Sequence, residues 1–300
     1  MTGMLKKIIF RFAPERFIKS VQQFKKKRRN RVLHQQAKTG GLTQEDLIAE
    51  LRTIGITEGD TVLVHSALSK IGYLKDGPRT LVAALLETVG NTGNILMPTS
   101  PNNKRQLDYI KELEVFDVQE TPSRLGAVTE YFRKLPDARR SIHPTEPVAC
   151  IGPDTEYFVD AHFGQLTPYN ENSPFYRVAE KNGKILMIGV TLDNAGTNLH
   201  CLEDAVTDFK FPIYYHEIQK VKIRDYEGNE QVVETKIHNP EWSVKRKCDE
   251  LIPLFEKRGV LKKVQVGEAE TLLIDARKML DVMIDAYEKN GITMYTPQGS

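Results

Sequence analysis

Three polar clusters stand at the ends of apolar runs, where α/β sheets build their sites. The richest is Thr191 to Asp204, TLDNAGTNLHCLED. His200 and Glu203 lie three residues apart, so they share a face if the segment is helical. Near a helix N-terminus His200 resists protonation, while Glu203 pulls the other way and fixes the ring tautomer. A neutral, oriented imidazole is what a general base needs. On spacing alone, a histidine satisfied in the core beside an incidental carboxylate is the commoner arrangement.

The second cluster is His65-Ser66-Ala67-Leu68-Ser69, directly after the apolar run 61–64, with Gly72 beyond. Small residues let backbone approach a ligand, and free N–H groups with hydroxyls suit a phosphate. A structural turn explains the same residues. The third cluster is Arg139-Arg140-Ser141-Ile142-His143-Pro144, which reads as an anion or substrate contact or as a solvated basic loop. Pro144 holds the preceding residues extended and so fixes the direction of the imidazole.

Competing chemistries lack their signatures. The chain has no G-x-S-x-G elbow, P-loop, H-E-x-x-H or Cys-x-x-Cys pair. Ser66 with a histidine and an acid lacks the elbow context of a hydrolase triad. Three widely spaced cysteines, Cys150, Cys201 and Cys248, form neither a zinc cluster nor a disulfide framework, and point to a reducing cytoplasm. No apolar run approaches the ~18 residues of a membrane span.

The elements that must hold these clusters follow from periodicity. Thr43 caps a helix whose apolar stripe is Leu47, Ile48, Leu51 and Ile54, ended by Gly55. Buried strands are expected over 61–65, 94–97, 148–152 and 184–190. Helices are expected over 81–89, 126–133, 199–209, 250–256 and 276–289. Strand-like alternation over 213–215, 219–223 and 231–237, with a turn at Asp225–Asn229, marks a β-rich insertion. The fold expected is α/β, a mixed sheet between helical layers with a small β-rich insertion.

Charge divides the chain. Residues 1–40 hold twelve Lys/Arg and one acid, Glu15, whereas the remainder holds 30 basic and 39 acidic residues. The boundary at Gly40-Gly41 separates a basic extension, 1–40, from a body, 41–300. Within the extension Leu5, Ile8, Ile9, Phe12, Phe17, Ile18, Val21 and Phe24 fall at roughly helical spacing, followed by Lys25-Lys26-Lys27-Arg28-Arg29. That suits an anchor on an anionic membrane surface, peripheral at its inner face. A helix packed on the body, or on a second copy in a homodimer, is the alternative. Nucleic acid is disfavoured, because no aromatic-interleaved groove or known motif accompanies the cations.

Taken together, the motifs resemble the aminoglycoside 3-N-acetyltransferase family. The resemblance begins at Leu42-Thr43 and runs to about Asp204. It includes Gly59-Asp60-Thr61-Val62-Leu63-Val64-His65-Ser66-Ala67-Leu68, Val89-Gly90 and Met97-Pro98-Thr99-Ser100. It continues through Leu125 to Glu130 with Phe132-Arg133, then Arg140-Ser141-Ile142-His143-Pro144 and Ser173-Pro174. It closes with Leu186-Met187-Ile188-Gly189-Val190 and Thr197-Asn198-Leu199-His200-Cys201-Leu202-Glu203. Residues 205–300 follow the family loosely, and 1–40 lie outside it.

The resemblance implies acetyl-CoA as co-substrate, no metal, and direct transfer to an amine of an amino sugar or aminoglycoside. It implies that His65, Ser66, Ala67, Leu68 and Ser69 contact CoA, with Thr99 and Ser100 in the same channel. It makes His200 the base and Glu203 its orienting partner, with His143 and Ser141 near the thioester. Two departures stand out. The family's H-P-x-x-S is here His143-Pro144-Thr145-Glu146-Pro147, and the serine usual after His65-Ser66 is Ala67. An O-acetyltransferase of a sugar hydroxyl, or a non-catalytic CoA binder with a polyanion-binding arm, are the alternatives. An aminoglycoside polycation wants an acidic pocket, whereas the basic arm tilts the reading towards cell-surface polysaccharide assembly.

Overall fold

The computed structural model describes residues 40–102 and 104–299, together with Phe24, Leu33, Ala37 and Lys38. Apart from these, the apolar positions at helical spacing in the extension 1–40, read as a helix or pair of helices over 5–37, and the basic run lie outside the described residues.

The body opens as its sequence predicts. Thr43 Oγ1 accepts from Asp46 N at 3.2 Å and Asp46 Oδ2 accepts from Thr43 N at 2.9 Å, a reciprocal cap on helix α1, Gln44–Thr53. Seven strands then form one mixed sheet. They are β1 (Thr61–Ser66), β2 (Asn94–Pro98), β4 (Arg139–Arg140), β5 (Val148–Ile151), β6 (Lys184–Ile188), β9 (Leu261–Val266) and β10 (Ala269–Asp275). Their spatial order is β4-β5-β2-β1-β6-β10-β9. The central β2, β1 and β6 are parallel, and the outer pairings are antiparallel.

The parallel centre is buried on both faces, as crossover helices require. Side chains alternate along a strand, so Val62 and Val64 of β1 enter one core with α1 and helix α2 (Pro78–Val89), while Leu63 enters the other. Leu186 and Ile188 of β6 divide from Ile185 and Met187 in the same way. The β-rich insertion is a separate sheet of β3 (Phe116–Asp117), β7 (Gln219–Arg224) and β8 (Glu230–Thr235). Helix α3 (Gln106–Glu112) packs on it through Leu107 and Ile110. The second helical layer of the main sheet holds helix α4 (Pro174–Glu180) and helix α6 (Ala276–Asn290).

Several elements differ from expectation. The strand over 184–190 stops at Ile188, because Gly189 turns the backbone at φ +68°. The helix over 199–209 is a 3₁₀ turn, Thr197–His200, followed by a short helix α5, Cys201–Ala205. Val206 is extended and Asp208 takes φ +55°, which ends it. The strand over 213–215 reduces to one bridge, Tyr214 to His238. The hairpin β9–β10 is additional. Its turn needs Gly267, at φ +55°, where a Cβ would run into the Ile71 carbonyl.

Candidate active site

β1 is flanked by parallel β2 and β6, and its His65 and Ser66 register with Met187 and Ile188 of β6. Clefts open where parallel strands end side by side. The chain leaving β6 turns back through the 3₁₀ turn and delivers His200 and Glu203 to that end of the sheet. His65 Nε2 meets Thr197 Oγ1 at 3.3 Å, linking the first and third sequence clusters.

Glu203 is the hub. Its Oε1 lies 3.0 Å from His200 Nδ1 and accepts from the Tyr295 hydroxyl at 2.7 Å. Its Oε2 lies 3.2 Å from His238 Nε2. The His200 contact is short but oblique, off the line of a directed hydrogen bond. Tyr169 stacks over both imidazoles, at 4.9 Å from His200 and 5.6 Å from His238. His200, Glu203, His238 and Tyr169 are all buried.

The remaining ring nitrogen of His200 settles the tautomer. Arg246 Nη1 lies 2.7 Å from Nε2. A guanidinium can only donate, so Nε2 is the acceptor and Nδ1 carries the proton towards Glu203. Burial pushes His200 down to about 4, with Glu203 opposing and Arg246 reinforcing. Burial works to raise Glu203, but His200 and His238 prevail and hold it well below the ordinary carboxylate range. At neutral pH the site is therefore a neutral imidazole oriented by an ionised carboxylate. His200, Glu203 and His238 place one donor atom each within 4.8 Å, the geometry of a metal-binding group. Their donors already face one another, and the Arg246 cation stands on the same imidazole.

The structure separates the other expected residues. His143 is buried, with its ring stacked on His162 at 4.7 Å and its Nδ1 3.1 Å from Thr145 Oγ1. Burial lowers it to about 3. Ser141 Oγ accepts from Val148 N at 3.0 Å and lies 2.8 Å from His162 Nδ1. The Ser141 contact ties the loop to β5, and His143 Nε2 is buried with no hydrogen-bond partner among the described residues. Thr99 and Ser100, expected in the CoA channel, are also buried: Thr99 Oγ1 donates to the Pro147 carbonyl and Ser100 Oγ to the Thr145 carbonyl. Arg140 is neither an anion contact nor a solvated loop residue. Its guanidinium is buried, donating to the carbonyls of Thr99, Val118 and Thr121 and so joining the main sheet to the insertion. Ser66, Ala67 and Leu68 remain half-buried at the end of β1, and Ser69 is exposed.

His238, Tyr169, Arg246 and Tyr295 were beyond sequence reasoning, being 31 to 95 positions from His200. Only the isolated His238-Asn239-Pro240 carried a signal, a histidine held extended close to a proline. Beside His238 and Arg246 a cleft of about 390 Å³ opens, lined also by Asn102, Lys104, Arg105 and Gln106.

The family profile described as aminoglycoside 3-N-acetyltransferase matches residues 63–288. Aminoglycoside N(3)-acetyltransferase IV of Salmonella sp. is 30% identical over 260 residues, covering 85% of this chain and 91% of that protein. Among solved structures, AAC-VIa bound to sisomicin has a TM-score of 0.69 and 31% identity, with coverage of 82% and 97%. AAC-IIIb in a binary complex with CoASH has a TM-score of 0.69 and 26% identity, with coverage of 83% and 97%.

Proposed function

Because this chain belongs to the aminoglycoside 3-N-acetyltransferase family, we propose that it moves an acetyl group from acetyl-CoA to an amine of an aminated sugar, with His200 as general base. It is an acyltransferase. The observation that carries the assignment of the base is the pair His200 and Glu203, a buried neutral imidazole whose Nδ1–H faces a buried carboxylate. Such an arrangement leaves Nε2 as the basic atom.

The step is a direct displacement. The amine nitrogen attacks the thioester carbonyl carbon, an N–C bond forms and the C–S bond breaks. His200 Nε2 takes the proton from the attacking nitrogen and returns it to the departing thiolate. Glu203 stabilises the imidazolium that forms between those events, and His238 and Tyr295 hold Glu203 in place. The donor enters over the end of β1, where half-buried Ser66, Ala67 and Leu68 permit close approach. That His65 meets Thr197, three residues before the base, supports this placement. That relatives are solved with CoASH and with sisomicin supports the two substrate classes.

Thiol release from acetyl-CoA, followed with a chromogenic disulfide over a panel of amino sugars and aminoglycosides, tests the reading. His200→Ala is expected to lower acceptor-dependent release by roughly 10²–10⁴-fold. Full activity in that variant would remove His200 from the chemistry.

A further inference from the structure

The cleft beside His238 is built against a polycation. Lys104, Arg105 and Arg246 line it, and no aspartate or glutamate does among the described residues. Lys104 is paired with exposed Glu112, so its charge is partly balanced. Arg105 is exposed, and Arg246 donates to the Ser243 carbonyl and to His200. Glu146 stands behind the wall, accepting from Asn102 Nδ2 at 3.0 Å and Gln106 Nε2 at 3.2 Å. Burial raises it to about 7 despite those bonds. A carboxyl raised by burial and already accepting two amide hydrogen bonds offers a cation little. Glu203 is enclosed by His200, His238 and Tyr295.

The cleft adjoins the buried base through two of its lining residues. His238 lines it and also contacts Glu203, while Arg246 lines it and also contacts His200 Nε2. The His65–Thr197 contact, where the donor is placed, includes none of the residues that line this cleft. Asn102 Oδ1 is buried with no hydrogen-bond partner among the described residues, a free acceptor for a hydroxyl or amine.

We propose that this cleft is the acceptor subsite, and that the acceptor is an amino sugar bearing an anionic group, a phosphate or a carboxylate. This rests on the acyl-transfer reading above and narrows its substrate class away from polycationic aminoglycosides. The anion has a second task. A guanidinium binds a phosphate or carboxylate more strongly than a neutral imidazole. An anionic acceptor therefore draws Arg246 off Nε2 and frees the base as it arrives, whereas a polycation repels Arg246 back onto the imidazole.

The test uses the whole chain with acetyl-CoA and four acceptors: glucosamine, glucosamine 6-phosphate, UDP-glucosamine and kanamycin. At least one phosphorylated sugar is expected to exceed glucosamine about tenfold or more in kcat/KM, with kanamycin lowest. The preference shrinks as salt rises. Arg105→Glu abolishes it while leaving the KM for acetyl-CoA unchanged. Arg246→Ala reduces it by raising the rate with unphosphorylated glucosamine. If Arg105→Glu instead raises the KM for acetyl-CoA and leaves the acceptor preference intact, the cations serve the phosphates of CoA and the proposal falls. Preference for kanamycin, or equal rates with glucosamine and both phosphorylated sugars, also overturns it. If no acceptor is acetylated, equilibrium dialysis decides. Binding of glucosamine 6-phosphate or UDP-glucosamine, but not glucosamine, lost in Arg105→Glu, upholds the subsite while the acyl-transfer reading fails. Equal or absent binding of all three sinks the subsite.

Discussion

Arg246 donates to His200 through Nη1 at 2.7 Å, so the lone pair that a base must offer is already engaged. The arginine is exposed and follows the short helix Pro240–Ser243, and it anchors otherwise on the Ser243 carbonyl at 3.0 Å. An exposed side chain changes rotamer in picoseconds to nanoseconds, so the cover on the base is removable. Arg246→Ala is expected to raise the rate at which diethyl pyrocarbonate modifies His200 roughly fivefold, the factor for a lost hydrogen bond of about 1 kcal/mol. Peptide mapping reads that rate at His200 itself. An unchanged rate would mean that the contact does not shield Nε2 in solution.

In the proposed reaction Glu203 orients His200, whose Nδ1 lies 3.0 Å from its Oε1, and neutralises the imidazolium. Glu203→Gln keeps the volume and loses the charge. It is expected to lower kcat by about 10²-fold or more with a smaller change in KM, because the charge matters most in the transition state. Glu203→Ala also removes the acceptor of His200, His238 and Tyr295, and is expected to cost roughly 3 kcal/mol in a urea titration. Glu203→Gln with wild-type kcat would leave Glu203 a merely structural role.

Stability should fall with acid in a definite window. Burial lowers His65 and His200 to about 4 and His143 to about 3, and holds His162 well below the ordinary histidine value. In the unfolded chain each titrates near 6.5, so between 6.5 and about 4 the unfolded state binds more protons. The stability that these neutral rings contribute is present in full above 6.5 and is lost as pH falls towards 4. For His65 alone the contribution is on the order of 3 kcal/mol at neutral pH. Urea midpoints from pH 8 to 4.5 should drop most steeply below 6, with a shallower slope in His65→Gln. A flat profile would show that these rings take up protons without unfolding.

Arg140 holds the two sheets together. It donates to three carbonyls and sits 5.1 Å over the Phe116 ring. Arg140→Met leaves those carbonyls without partners and is expected to cost about 3 kcal/mol, seen as a lower urea midpoint at unchanged m. Arg140→Lys should not restore it, because one ammonium cannot span the fork. Rescue by lysine would show that charge, rather than geometry, is what the site requires.

Local pattern carried much of this molecule. The Thr43 cap, the two-sided apolar strands at β1 and β6 and the turn at Asp225 to Asn229 are set by neighbours a few residues apart. The sequence therefore foretold a mixed α/β sheet with a β insertion. It also presented His200 and Glu203 as a pair, because a spacing of three is short enough to survive the replacement of an α-helix by a 3₁₀ turn. The hairpin β9–β10 escaped, since LKKVQV and AETLLID alternate only partly and are joined at an edge through Gly267.

Roles that depend on distant segments were settled by the fold alone. Thr99, Ser100, Ser141 and His143 carry groups suited to a ligand, yet tertiary packing turns them inward onto carbonyls, a backbone N–H, Thr145 and His162. Arg140 reads as an anion contact in sequence and becomes a buried brace. His238, Arg246 and Tyr295 converge on the His200–Glu203 pair from segments that no short-range periodicity connects to it. By itself the sequence determined which residues could do acyl-transfer chemistry. The tertiary structure decided which of them meet and which cations line the cleft beside His238, because those contacts are made by chain folding over tens of residues.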